Sequence, residues 1–245
     1  MVDFVLLDES AGALTTSGQA MDPATLSGIA AACQIQLNRD FAAHYGGAFR
    51  VRAGDSAGIQ PGENVFALLA TLPNAPGAIA YHDVDGAGVP VLYDAITLSD
   101  SLVGPGNSVS VAISHELLET AADEGCNQWA DAGGTEYAHE VCDAVESQTY
   151  GIGTVSVSNF VARAFWIPNH IGPYDFMTSI GMGGFAPPVG PLMTAPGGYQ
   201  VVRSSGTGDH QVFGRRVETI HNGSLRPVRR PWRADSRRAR RGVAE

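Results

Sequence analysis

The sequence predicts an α+β domain over residues 1 to 203, followed by a basic extension over residues 204 to 245. Three observations predict it. Short apolar runs of strand length recur at Val2 to Leu7, Val65 to Leu72 and Val89 to Ile96. Two longer segments carry helical spacing, one starting at Asp22-Pro23 and one at Val109. Proline and glycine then dominate Pro168 to Gly198, which reads as a wrap over the core or the site.

Taken in order, Val2 to Leu7 reads as a first strand and Gly12 to Ala20 as a loop. Asp22 caps a helix and Pro23 fits its first turn, where no backbone donor is needed. Leu26, Ile29, Ala30, Cys33, Ile35, Leu37, Phe41 and Ala42 carry that helix to about Tyr45, and Gly46-Gly47 stops it. Ala48 to Ala53 alternates as a strand. Val65 to Leu72, apolar throughout, reads as a buried central strand. Ala78 to Asp83 is a short strand, and Val89 to Ile96 another. Ser108 caps the second helix, which runs to about Ala122. Tyr137 to Glu146 is expected to form a shorter helix. Thr154 to Trp166 reads as a strand or hairpin arm, Tyr199 to Arg203 as a last strand, and Gln211 to Phe213 as a further candidate.

Charge is unevenly spread over the chain. The net charge is -10, and all fifteen basic residues are arginine. Asn222 to Glu245 holds eight arginines against Asp235 and Glu245, a local +6 that leaves -16 on the rest. The acidic body argues against a general nucleic-acid surface. The arginine-rich end has the composition of a disordered tail, with a nucleic acid, an assembly partner or the acidic body itself as anionic contacts. Three cysteines, Cys33, Cys126 and Cys142, do not make a disulfide framework, and reduced structural thiols are the expectation. Pairing or metal binding by Cys126 and Cys142 is the alternative. No signal peptide is evident and no run reaches the length of a membrane span, so a cytoplasmic or virion-associated protein is expected.

The chemistry concentrates in Val109 to Glu146. Ser114-His115-Glu116-Leu117-Leu118-Glu119 contains His-Glu-x-x-Glu. Residues four apart share one helix face, so His115 and Glu119 project together as two ligands for one ion would. Glu116 occupies the place of a general base beside a metal-bound water. Asp123 continues the same face. The competing interpretation is an acidic helix facing water, since a bare His-Glu-x-x-Glu arises readily by chance. The apolar flank of Ile113, Leu117 and Leu118 and the acidic segment downstream weigh against that.

The element order and the helix motif resemble the N-terminal half of the zincin metalloproteases over residues 2 to 146. That resemblance implies a twisted mixed sheet packed on a long N-terminal helix and a metal-ligand helix. Ala78 to Asp83 would be the antiparallel edge strand lining the substrate cleft. The chain also resembles a group of uncharacterised bacterial and phage proteins. These share a Glu-x-Cys-Asp-x-x-Glu run, a Val-Ser-Asn-Phe strand and a Thr-x-Pro-Gly-Gly-Tyr end, here Glu140 to Glu146, Val157 to Phe160 and Thr194 to Tyr199.

The zincin resemblance implies a metal-dependent peptide hydrolase with Glu116 as catalytic base and His115, Glu119 and a downstream residue as metal ligands. Glu140 is the first choice for the third ligand, with Asp143, Asp123 and His139 as rivals. Zinc is the expected cofactor. A carboxylate-rich set also suits iron, manganese or calcium, and Glu119 in place of histidine weakens the Lewis acid. The alternative function is a non-catalytic phage or particle component that retains the scaffold. His82 is either a substrate contact or a satisfied surface histidine. Tyr137 and Tyr150 are oxyanion candidates, with packing the better expectation. Trp129, Phe160, Phe165 and Trp166 are expected in the core. No Gly-x-Ser-x-Gly elbow surrounds Ser114, and Gly181, Gly183 and Gly184 lack the strand-to-helix setting of a phosphate loop.

Overall fold

The structure, a computed structural model, describes residues 1–72, 75, 77–167, 169–178, 180, 193–195, 197–204 and 207–214. It is an α+β fold built on a mixed five-stranded sheet. The strands are β1 (Val2–Asp8), β2 (Phe49–Gly54), β3 (Glu63–Leu69), β4 (Ala80–Val84) and β5 (Pro90–Ala95), in the order β2-β1-β3-β5-β4. β1 pairs in parallel with β2 and β3, and β3 with β5. β4 closes the sheet antiparallel to β5 as its edge strand, centred on the pairing of His82 with Leu92. Val5 and Leu6 are both fully buried, which accounts for the unbroken apolar run of β1.

The first helical rod begins as α1 (Pro23–Ile35), passes through a π-helical stretch (Gln36–Phe41) and ends as α2 (Ala42–Tyr45). Asp22 Oδ1 accepts from Ala24 N at 2.9 Å and Thr25 N at 3.0 Å, and Gly46 at φ 78° ends the rod. The second helix, α3 (Val109–Ala122), is capped by Ser108. α1 packs on β1 and β2, and α3 packs on β4 and β5. Leu26, Ile29, Cys33 and Leu37 from the first rod meet Ile113, Leu117 and Leu118 of α3 over Phe4, Leu6, Phe66 and Leu92 of the sheet.

A second sheet has the order β11-β10-β7-β6, from β6 (Trp129–Asp131), β7 (Thr135–Ala138), β10 (Tyr199–Ser204) and β11 (Thr207–Phe213). β11 lies beyond the expected domain boundary at 203 and pairs antiparallel with β10. β8 (Thr149–Ile152) and β9 (Val155–Ser158) form a separate hairpin. β9 docks on α3 through serines: Ser158 N donates to Ser114 Oγ at 2.7 Å, and Ser110 Oγ donates to Ser156 O at 2.7 Å. Phe160 and Phe165 are fully buried, while Trp129 and Trp166 are only partly so.

The expected helix over Tyr137 to Glu146 is not present. Tyr137 lies in β7, paired with Val202 of β10, and the segment after it makes only a 3-10 turn (Asp143–Val145). Acidic residues spaced three apart imitate a helix face. Hydrogen bonds to a strand some sixty residues downstream outweigh that local pattern. Residues 181–192 of the Pro/Gly-rich wrap, which include the glycines at 181, 183 and 184, and the arginine-rich tail lie outside the described residues. Among the described residues, no helix is long and apolar enough to cross a membrane.

Candidate metal centre

Three segments of chain converge on one buried polar cluster. α3 supplies His115, Glu116 and Glu119, exposed by 2%, 0% and 1%. β4 supplies His82, and the connection from β7 through the 3-10 turn supplies Glu140, Cys142 and Asp143. His115 and Glu119 share one helix face as their spacing requires, with His115 Nε2 2.9 Å from Glu119 Oε1. His115 Nε2 is also 3.3 Å from Asp143 Oδ1.

His82 is the residue that sequence reasoning underrated. It is buried, not a surface histidine, and it faces α3. Its Nδ1 stands 2.9 Å from Glu116 Oε2 and 3.5 Å from Glu119 Oε2, and its Nε2 stands 3.6 Å from Glu140 Oε2. A single histidine in a strand carries no ligand spacing. The available signal was alternation: Ala80 and His82 are buried in β4, while Tyr81 and Asp83 are less so. The sheet edge beside α3 therefore turns His82 inward.

The candidates separate cleanly. Glu140 comes within ion-pairing distance of His82, and Asp143 within ion-pairing distance of His115. Asp123 is engaged elsewhere: it accepts from Asn127 N at 3.1 Å and Gln128 N at 2.9 Å, holding the loop that ends α3. His139 packs against Trp166 with ring centroids 4.5 Å apart and against Tyr45 at 6.2 Å. The Tyr150 hydroxyl donates to Asp40 Oδ2 at 2.8 Å, and Tyr137 belongs to the second sheet. The cysteines form no disulfide; Cys33, Cys126 and Cys142 are buried free thiols. Cys142 belongs to the cluster, its N–H donating to Glu119 Oε1 at 3.2 Å.

The electrostatics are those of crowded acids held out of water. Burial pushes the Glu119 carboxyl up to about 7; His115 pulls against this and the negative charges of Asp143 and Glu140 add to it. Burial works to lower the His82 pKa, but Cys126, Glu116 and Glu140 outweigh it and hold it well above the ordinary histidine value.

The residues fit a metal ion. The donor atoms of His115, Glu119 and Cys142 all lie within 4.8 Å of one another, and so do those of His82, Glu119 and Glu140. His82 Nε2 is buried and makes no hydrogen bond, with Glu140 Oε2 3.6 Å away, so it is open to a ligand role. Imidazole, carboxylate and thiol donors suit zinc and neighbouring transition metals better than calcium, which takes oxygen. Comparison with protein-family models, curated proteins and solved structures finds no match to this chain.

Proposed function

We propose that the chain is a metal-dependent peptide hydrolase on a zincin-like scaffold. The observation that carries this is the pair His115 and Glu119, one turn apart on α3, beside an antiparallel edge strand whose His82 groups with Glu119 and Glu140. Glu119 would hold the ion, with His115 and Cys142 or with His82 and Glu140 as its partners. A bound divalent cation supplies Lewis acidity, polarising a carbonyl and acidifying a water.

The remaining work belongs to the chain. Glu116 sits next to the first ligand and accepts a proton on its carboxylate. His82 Nδ1, 2.9 Å from Glu116 Oε2, fixes that carboxylate's orientation. Among the described residues β4 is the last strand of the sheet, and its outer edge would receive an extended peptide by strand addition. His82 and Glu140, the more exposed members of the cluster, mark the side from which substrate would approach.

Glu116→Gln is expected to abolish peptide-library cleavage while metal content stays at the wild-type level. Retained cleavage would remove Glu116 from its role. The near-complete burial of His115, Glu116 and Glu119 supports a second reading, a non-catalytic phage or particle component in which the metal is structural. That reading expects metal to raise the melting temperature with no cleavage of any peptide.

A further inference from the structure

We propose that the cluster is a two-ion centre in which Glu119 is the shared, bridging carboxylate. This rests on the reading that the cluster holds metal and goes beyond the single-ion site.

The geometry divides the donors into two sets that meet only at Glu119. One set is His115, Glu119 and Cys142, with Asp143 Oδ1 3.3 Å from His115 Nε2. The other is His82, Glu119 and Glu140, with Glu116 Oε2 2.9 Å from His82 Nδ1. The two oxygens of Glu119 are already apportioned between them: Oε1 lies 2.9 Å from His115 Nε2, and Oε2 lies 3.5 Å from His82 Nδ1. Glu119 thus presents a different oxygen to each imidazole and is the one residue common to both sets.

Glu116, Glu119, Glu140 and Asp143 place four carboxylates in one buried cluster. His82 supplies the independent sign of a ligand, because its buried Nε2 makes no hydrogen bond and faces Glu140 of the second set at 3.6 Å. The sets also differ in softness. The thiol-containing set favours zinc, and the oxygen-rich set also accepts iron or manganese.

The test is metal stoichiometry on the full chain, stripped with chelator, reloaded with zinc, desalted and measured by elemental mass spectrometry. The wild type is expected to hold two ions per chain. His82→Ala and Cys142→Ser are each expected to hold one, and Glu119→Ala is expected to lose both. With cobalt(II) in place of zinc, Cys142→Ser should erase the sulfur-to-metal charge-transfer band while keeping a bound ion. A wild-type count below two overturns the proposal by itself, so it stays falsifiable if a variant misfolds by circular dichroism. A single ion per chain, lost alike in His82→Ala and His115→Ala, overturns the two-ion centre and leaves the hydrolase reading standing. Two ions retained in every variant places them elsewhere and overturns it too. No ion under any loading removes both readings.

Discussion

Glu119 is in tension with the stability of the metal-free protein. Its carboxyl, pushed up to about 7 by burial, binds a proton more tightly folded than unfolded. A group raised in this way stabilises the fold below its unfolded pKa near 4.5 and loses that contribution as pH rises through 7. In chelator at pH 8, Glu119→Gln should therefore be more stable than wild type, by about 2 kcal/mol in urea titration. With zinc present the order should reverse, because the amide gives up a charged ligand. Equal stabilities in chelator at pH 5 and pH 8 would refute the assignment.

The same scale shows what the sequence could and could not convey. His115 and Glu119 were legible because helical periodicity is local and Ser108 announces the cap. Glu140 was legible as a candidate, but its setting was not: it arrives on an irregular segment fixed by long-range contacts. His82 had no spacing partner in its own strand, so only the tertiary placement of β4 against α3 reveals it.

Among the elements, the strands that build the main sheet were the most legible, since each buried run declares itself by composition. The misread helix at Tyr137 to Glu146 shows the limit, because strand pairing with β10 is not encoded nearby. One cross-sheet tie has a pH consequence. Arg52 of β2 reaches over β1 to Glu63 of β3, with Arg52 Nε 2.7 Å from Glu63 Oε1 and one Nη 2.6 Å from Oε2. This pairing lowers the Glu63 pKa to about 2. A depressed carboxylate contributes stability above its unfolded pKa and loses it as pH falls from about 4.5 towards 2. Glu63→Gln should destabilise the protein by about 2 kcal/mol at pH 7. The gap should close by pH 2 in thermal denaturation, and a gap that persists there would contradict the pairing.

At the scale of the molecule, the C-terminal part of the chain buttresses the site. Ala195 N donates to Ala144 O at 2.8 Å, next to the turn that carries Asp143. Gly198 lies so close to this turn that a Cβ would collide with the Ala144 carbonyl and approach that of Asp143. Gly198→Ala should cost about 2 kcal/mol by chemical denaturation. It should also weaken metal binding, because the turn must shift; unchanged metal affinity would separate the buttress from the site. The run Thr194 to Tyr199 thus gains a structural reason, as does Val157 to Phe160. There Ser158 docks on α3, and Asn159 Nδ2 donates to Asp175 Oδ2 at 2.8 Å. These motifs were visible in the sequence, but their purpose required the fold.

The antiparallel placement of β4 carries a further consequence. An unprotected sheet border recruits any extended strand, including that of another copy of the same chain. Here the border strand is anchored from within by His82 to acids on two other segments. A cation bound there would act as a clasp on the rim of the sheet. Its removal would then be expected to free the border strand for self-association.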